Sequence, residues 1–163
     1  MDAIHCLKTR RSIRTFTPGD VAPDIVSDLV DCARLAPTAM NKQPWTFLVF
    51  RDEATRYRIV ELAGHGEFLR SAPVCVAVCC DEWDYWKEDA SAATTSLLLA
   101  AHAHGLGACW VSMEPHPYAA AVKPLLGIPG HVHLLAVVAI GQPNESPTPE
   151  KKPLDEVVRY DRW

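Results

Sequence analysis

The spacing of apolar residues along the chain predicts several helices. After Pro23, which suits a first helical turn, apolar residues recur three and four positions apart as far as Ala33, as is typical of an amphipathic helix. A second helix is predicted between a capping Asp52 and a terminating Gly64. A third, from about Glu82 to Gly105, is nearly apolar on all sides and should be central. The sequence PYAAAVKPLLG predicts a fourth.

Shorter runs rich in β-forming residues predict strands between these helices. The run PVCVAVCC is continuously apolar, as expected of a strand that is buried on both faces. The predicted strands are residues 46–50, 74–80, 108–112 and 133–140. Because strands alternate with helices, each apolar face of the sheet needs a helical cover. We therefore expect an α+β fold with a central sheet of about four strands flanked by helices.

The last stretch of the chain has a different composition. Four prolines between residues 143 and 153 exclude regular structure over much of it. We find no internal repeat, and 163 residues suit a single core. The expectation is one domain over residues 1–163, with a tail from about 143 to 163 that crosses the surface or reaches a partner subunit.

Charge and composition narrow the function classes. The net charge of −4 argues against a nucleic-acid binder. Neither a membrane-spanning apolar run nor a signal-peptide core is visible, so no membrane association and a cytoplasmic location are expected. Six cysteines form no C-x-x-C pair, and most lie in apolar stretches, which indicates small core residues. Cys79 and Cys80 should point to opposite faces of their strand.

Basic residues crowd near the N-terminus in the sequence TRRSIRTF. A lone basic run is usually a solvated turn. The alternative is a phosphate-binding cluster, because arginine forks match phosphate oxygens and a serine hydroxyl adds a donor. The candidates are Arg10, Arg11, Ser12 and Arg14. A second basic pair, Lys151 and Lys152, lies among the prolines of the tail.

A polar loop in the sequence APTAMNKQPWTFLVF leads into the first strand. Asn41 and Gln43 carry both donors and acceptors, as needed to bind a ring edge that bears carbonyl and N–H groups. They could equally satisfy the backbone of the loop. A binding role is favoured only in combination with the arginines.

Taken together, the motifs RRSIRTF, LAPTAMNKQPWTFLVF, GLGACWVSM and LLAVVAIGQP…KKPLDEVV resemble the FMN-dependent nitroreductase family, in its short form. The resemblance implies a nitroreductase-like α+β fold with a mixed or antiparallel sheet and an intertwined homodimer with two FMN molecules at the subunit interface. It also implies electron transfer from NAD(P)H to a small acceptor such as a nitroaromatic or a quinone. Flavin N5 would perform the chemistry, so no catalytic side chain is expected.

The resemblance also assigns binding roles by position. The phosphate and ribityl oxygens would contact Arg10, Ser12 and Arg14, with Arg11 nearby, and Lys151 or its neighbour Lys152 would return to the phosphate. The loop that reaches the flavin from the other subunit would contribute Pro37, Thr38, Ala39, Asn41 and Gln43. The segment beside the ring would contribute Val111, Ser112 and Met113.

Several alternatives stay open or are disfavoured on the sequence. The histidine pairs at positions 102 and 104 and at positions 131 and 133 suggest a zinc site. No acidic or cysteine ligand completes either pair convincingly, so no metal is expected. A hydrolase centred on Ser112 lacks the G-x-S-x-G motif. A non-catalytic flavin-binding module, a reductive dehalogenase and a flavin-cleaving enzyme all remain possible. Trp83, Tyr85 and Trp86 lie where longer relatives carry helices over the flavin, and are candidates for a partial cover or a dimer contact.

Overall fold

The computed structural model describes all residues, 1–163. Its four strands form one antiparallel sheet in the order β1-β2-β4-β3, which confirms the expected sheet. The strands are β1 Trp45–Phe50, β2 Val74–Cys80, β3 Gly107–Ser112 and β4 His133–Gly141. The second strand coincides with the predicted one, and the others differ by a single residue at one end.

Seven helices surround the sheet. Their bounds are α1 Ala3–Thr9, α2 Pro23–Arg34, α3 Glu53–Ala63, α4 Phe68–Ser71, α5 Trp86–Ala103, α6 Ala119–Leu125 and α7 Leu154–Val157. The predicted ends of α3 are confirmed: the Asp52 carboxylate accepts a hydrogen bond from the Thr55 N–H at 2.7 Å, and Gly64 terminates the helix with φ of 70°. The short helix α1 was not predicted. None of the seven combines the length and apolar character that crossing a membrane requires.

The two faces of the sheet carry separate cores. On one face, α2 and α5 pack through residues such as Leu29 and Leu97. On the other, α3, α4 and α6 pack through residues such as Ile59 and Leu69. The strand β2 contributes to both, because alternate residues point to opposite faces.

The cysteines are mostly core residues, as predicted. Cys79 and Cys80 belong to the cores on opposite faces of the sheet. Burial raises the pKa of the Cys75 and Cys80 thiols to about 12, so these groups stay protonated and unreactive at neutral pH. Cys32 is the exception, since it is only half-buried.

An extended segment after α1 runs along the open edge of β3. The Ile13 N–H donates to the Ala108 carbonyl at 3.1 Å, and the Thr17 N–H donates to the Gln142 carbonyl at 3.0 Å. Gly107 makes this approach possible, because a Cβ there would lie only 2.7 Å from Ile13 Cγ2. The backbone of the predicted basic cluster is therefore fixed to the sheet by hydrogen bonds.

The tail leaves the sheet and has little contact with it. Apart from the four-residue α7, residues after 143 form no regular structure. Its large apolar side chains are exposed: Leu154, Val157, Tyr160 and Trp163. This arrangement is unfavourable in water unless something covers those side chains.

Candidate functional site

The basic segment places two arginines and a serine at the start of β3. Burial raises the pKa of the Cys109 thiol, while the charges of Arg14 and Arg10 and the Ser12 hydroxyl act in the opposite direction. The segment that carries these side chains pairs with the start of β3, through the bridge between Ser12 and Ala108. The structure thus brings together three of the predicted phosphate ligands beside one strand.

Arg10 and Arg14 differ from the other arginines in lacking partners. Their guanidinium groups form no hydrogen bond and no ion pair within the chain, and only Arg162 near the C-terminus shares this property. The remaining seven arginines have acceptors: Arg34, Arg51, Arg58 and Arg70 pair with carboxylates, and Arg11, Arg56 and Arg159 donate to carbonyls. Two unpaired guanidinium groups on one short segment suit an anion.

Arg11 points elsewhere. Its guanidinium donates to the carbonyls of Lys8 and Arg10, at 2.9 and 2.8 Å, and so caps the end of α1. It also lines a cavity of about 410 Å³ together with Thr9 and His102. The guanidinium of Arg11 is therefore already bonded within the chain, unlike those of Arg10 and Arg14.

At the opposite end of β3, only one of the three predicted residues exposes its side chain. Val111 and Met113 are buried in the core, whereas Ser112 is exposed. The Ser112 carbonyl accepts a hydrogen bond from the Tyr118 hydroxyl at 2.7 Å and so points away from β4. The N–H of a strand residue points to the same side as its carbonyl, so the Ser112 N–H also lies at the open edge.

Titratable side chains surround this end of β3. His65 Nε2 lies 2.9 Å from the Tyr118 hydroxyl, and burial raises the pKa of Tyr118. Burial also acts to raise the pKa of Glu114, but hydrogen bonds from His133, the Leu134 N–H and Lys123 outweigh it, so the Glu114 pKa is lowered. The strand end is thus held by a polar network.

The loop before β1 has a strained backbone and exposed side chains. Met40, Asn41 and Gln43 have φ of 51°, 55° and 50°, a region that residues other than glycine seldom occupy. All three are exposed, as is Pro37, and the Met40 side chain is 84% exposed. Such strain is retained only where surrounding contacts enforce it, and it is common at ligand sites.

A buried carboxylate supplies those contacts. Asp89 on α5 accepts hydrogen bonds from the Thr38 hydroxyl at 2.8 Å, the Ala39 N–H at 3.0 Å and the Trp83 indole N–H at 3.1 Å. The Thr38 hydroxyl in turn accepts from the Gln43 N–H at 3.1 Å. Thr38 and Ala39 are therefore used to hold the loop, while Asn41 and Gln43 extend from it.

The two halves of the predicted site do not meet within one chain. The arginines lie beside the first residues of β3, and the loop precedes β1 at the other edge of the sheet. Three strand spacings separate these edges, about 14 Å, and the length of β3 adds about 20 Å along the strands. Within one chain, the two halves therefore lie at opposite edges and opposite ends of the sheet.

The tail lysines are bonded to nothing within one chain. Lys151 and Lys152 are exposed and form no hydrogen bond or ion pair within the chain. The start of the tail does contact the basic segment, since the Glu145 carboxylate accepts from the backbone N–H groups of Arg14 and Thr15. That carboxylate lies at the backbone and leaves the Arg14 side chain free.

The histidine pairs do not converge. His102 contacts Thr9, while His104 contacts Asp28 at 2.6 Å. His133 lies between Glu114 and Glu82, at 2.6 Å from each, and His131 is exposed. The two glutamates are partners that the sequence pattern did not suggest, because they are distant in the chain.

Sequence reasoning missed the residues that support the site. Asp89 had one available signal, as the last carboxylate before the small and apolar stretch of α5. No signal in the sequence marked Tyr118 and His65, because only folding brings them close to Ser112. Of the three candidate cover residues, Trp86 is buried and stacks on His133 at 3.9 Å, Trp83 binds Asp89, and Tyr85 remains exposed.

Comparison with known proteins gives consistent results. The model of the nitroreductase family matches residues 7–66 and 61–142. A Methanothermobacter thermautotrophicus protein, provisionally named an NADH dehydrogenase/NAD(P)H nitroreductase, is 32% identical over 100% of this chain and 88% of its own. The 5,6-dimethylbenzimidazole synthase of Rhodospirillum rubrum is 32% identical over 86% of this chain and 82% of its own.

A solved structure extends the similarity to the fold. The FMN-dependent nitroreductase of Clostridium difficile superposes with a TM-score of 0.91, at 27% identity, over 98% of this chain and 99% of that chain. The likeness includes nearly all of both chains, tail included.

Proposed function

The chain belongs to the nitroreductase family, and we propose that it is an FMN-dependent oxidoreductase that passes electrons from NAD(P)H to a small acceptor such as a nitroaromatic or a quinone. The observation that carries the proposal is the pair of unpaired arginines beside β3. In a chain with net charge −4, nearly every other arginine is matched to an acceptor.

These residues fit the phosphate end of FMN. Arg10 and Arg14 would each offer a planar fork to phosphate oxygens, and Ser12 would donate its hydroxyl. The hydrogen bonds from Ile13 and Thr17 to the sheet fix the backbone on which they lie. The proposed phosphate site is therefore preorganised, and Lys151 or Lys152 of the tail would complete it.

The other end of β3 fits the ring. When bound, FMN supplies the transfer of a hydride or of single electrons at N5. The chain would contribute the outward Ser112 N–H as a donor to the ring edge. Val111 and Met113 are buried, and the Met113 N–H already donates to the Leu135 carbonyl at 2.8 Å, so these two residues would only hold Ser112 in place. Tyr118 would hold this strand end in place through its hydrogen bond to the Ser112 carbonyl.

We propose that the loop residues Asn41 and Gln43 reach the flavin of a second copy. The separation of the loop from β3 within one chain supports this arrangement. The exposed side chains of the tail, including Leu154 and Trp163, support a tail that packs on the partner. Residues 1–163 would then form one domain whose site is completed in a homodimer.

Purification tests the cofactor directly. The protein should be yellow, release FMN on denaturation, and oxidise NAD(P)H in the presence of menadione or nitrofurazone. Absence of flavin binding would contradict the proposal. Flavin binding without turnover of any acceptor would favour a non-catalytic flavin-binding module.

A complementation experiment tests the shared site. One variant carries Arg10→Ala and Arg14→Ala, and the other carries Asn41→Ala and Gln43→Ala, with different affinity tags. Each alone should bind FMN poorly. A heterodimer from co-expression contains one site with both halves intact, so it should bind about one FMN per dimer. If both halves of each site came from one chain, every site in the heterodimer would stay defective.

The Rhodospirillum rubrum relative favours one second candidate, a flavin-cleaving enzyme of the 5,6-dimethylbenzimidazole synthase type. Incubation with excess FMN, NAD(P)H and air separates the two. Net loss of flavin with release of dimethylbenzimidazole would support cleavage, whereas unchanged total flavin with acceptor reduction would support the main proposal.

A further inference from the structure

We infer that Asp89 is a positioning residue, which holds the loop before β1 in its strained form and links it to the Trp83 segment. The inference rests on the proposed function, in which that loop contacts a flavin ring. Asp89 is 3% exposed, and no lysine, arginine or histidine pairs with it. A buried carboxylate without a cation is costly unless hydrogen bonds satisfy its oxygens.

Three hydrogen bonds meet this requirement, and each comes from a segment next to the loop. Oδ1 accepts from the Ala39 N–H, and Oδ2 accepts from the Thr38 hydroxyl and the Trp83 indole. The Asp81 N–H donates to the Pro44 carbonyl at 2.9 Å and ties the same two segments again. The carboxylate therefore fixes residues 38–39 against α5 and against the segment after β2.

The strained residues follow directly after this anchor. Met40, Asn41 and Gln43 have positive φ, and none of their exposed side chains contacts the core. The Gln43 N–H donates to the Thr38 hydroxyl, so one hydroxyl connects the carboxylate to the far end of the loop. Release of Thr38 should let the loop relax to ordinary dihedral angles and withdraw Asn41 from its position.

The test compares substitutions that each change one donor or acceptor of this network. Asp89→Asn places an amide N–H₂ against donors, and Thr38→Val replaces the hydroxyl by a methyl group, both at nearly constant volume. Trp83→Phe removes the indole N–H together with part of the ring. Thr38→Ser keeps the hydroxyl and should restore the behaviour of the unmutated protein. Glu88→Gln, at the exposed neighbouring position, is the matched control.

Two measurements are made on the full-length protein. Amide hydrogen exchange without flavin should be faster in residues 38–43 of Asp89→Asn, with β4 unchanged. Flavin titration should show about ten- to a hundredfold weaker binding of both FMN and riboflavin, because the loop contacts the ring and not the phosphate. The visible absorption band of the bound flavin should also shift, since the ring would lose hydrogen bonds.

The outcomes separate this inference from the proposed function. If the unmutated protein binds no flavin, the proposed function fails, and loop-specific exchange then shows only that Asp89 holds the loop. If Asp89→Asn does not fold, the same two measurements are compared between Thr38→Val, which lacks the hydroxyl, and Thr38→Ser, which keeps it. Unchanged exchange in residues 38–43 in folded variants overturns the inference. Uniformly faster exchange with normal flavin binding also overturns it, because Asp89 would then be merely structural.

Discussion

The segment beside β3 and the loop before β1 present polar side chains by opposite means. Beside β3, backbone hydrogen bonds to the sheet fix the segment, and the charged side chains of Arg10 and Arg14 are left without partners. Before β1, a side chain, Asp89, fixes the backbone, and the amides of Asn41 and Gln43 are left exposed. The segment beside β3 therefore suits an anion, and the loop suits a ring that carries hydrogen-bond donors and acceptors.

This difference indicates how each region should respond to substitution. Substitutions in the β3 segment should weaken flavin binding through the loss of charge and should change the backbone of the segment little. Substitutions that affect the loop should weaken flavin binding by changing the loop's geometry, because its conformation depends on one buried carboxylate. The following experiments would break or sharpen this contrast.

The largest effect is expected from removal of both unpaired arginines. Charge-assisted hydrogen bonds contribute about 1.5–3 kcal/mol each, so Arg10→Ala with Arg14→Ala should weaken FMN binding by about a hundred- to ten-thousandfold. Riboflavin, which lacks the phosphate, should be affected much less. Fluorescence titration measures both, and Arg34→Ala with Arg58→Ala, two exposed and paired arginines, is the control. Equal losses for both flavins would refute the phosphate site.

The next effect concerns the backbone of the β3 segment. A Cβ at position 107 would lie 2.7 Å from Ile13 Cγ2, so Gly107→Ala should push the segment from the sheet. Such overpacking costs about 1–3 kcal/mol, which corresponds to a fall in Tm of about 2–12 °C. Gly130→Ala, with open space around the glycine, is the control. An unchanged Tm and FMN affinity in Gly107→Ala would show that the segment is not held as described.

An effect of similar size, which depends on pH, is expected at the far end of β3. The folded pKa of Glu114 lies below its ordinary value of 4.5, so its stabilising contribution is present above that pH and is lost as pH falls through the folded pKa. Glu114→Gln should lower the free energy of unfolding at pH 7 by about 1–3 kcal/mol. The difference from the unmutated protein should shrink as pH falls below 4.5. Urea unfolding at several pH values measures this, and a difference independent of pH would contradict it.

The smallest effect is expected in the loop. Asn41→Ala removes one neutral side chain at an exposed position, so it should weaken FMN and riboflavin equally, by about two- to tenfold. Tm should stay unchanged, because Asn41 has no side-chain partner within the chain. A loss confined to FMN would mean that the loop contacts the phosphate, and the contrast with the β3 segment would then be wrong.

Some features were predictable from the sequence because they depend on neighbours in the chain. The continuous apolar run located the residues of β2 correctly, and the alternation of side chains along a strand assigned Cys79 and Cys80 to opposite faces. Asp52 and Gly64 marked the ends of α3, since capping acts within one turn. The family resemblance added the basic segment and the loop as candidate binding regions, and family membership is confirmed.

Other features were decided only by the tertiary structure, because they join residues distant in sequence. Arg10, Arg11 and Arg14 look equivalent in the sequence, yet only Arg11 caps a helix, and the other two remain unpaired. Thr38 looked like a ligand and proved to be bound to Asp89, 51 positions away. The sequence by itself determined which segments carry hydrogen-bonding groups. Folding decided which of those groups are already satisfied, since a buried polar group must take whatever partner the packed chain brings to it.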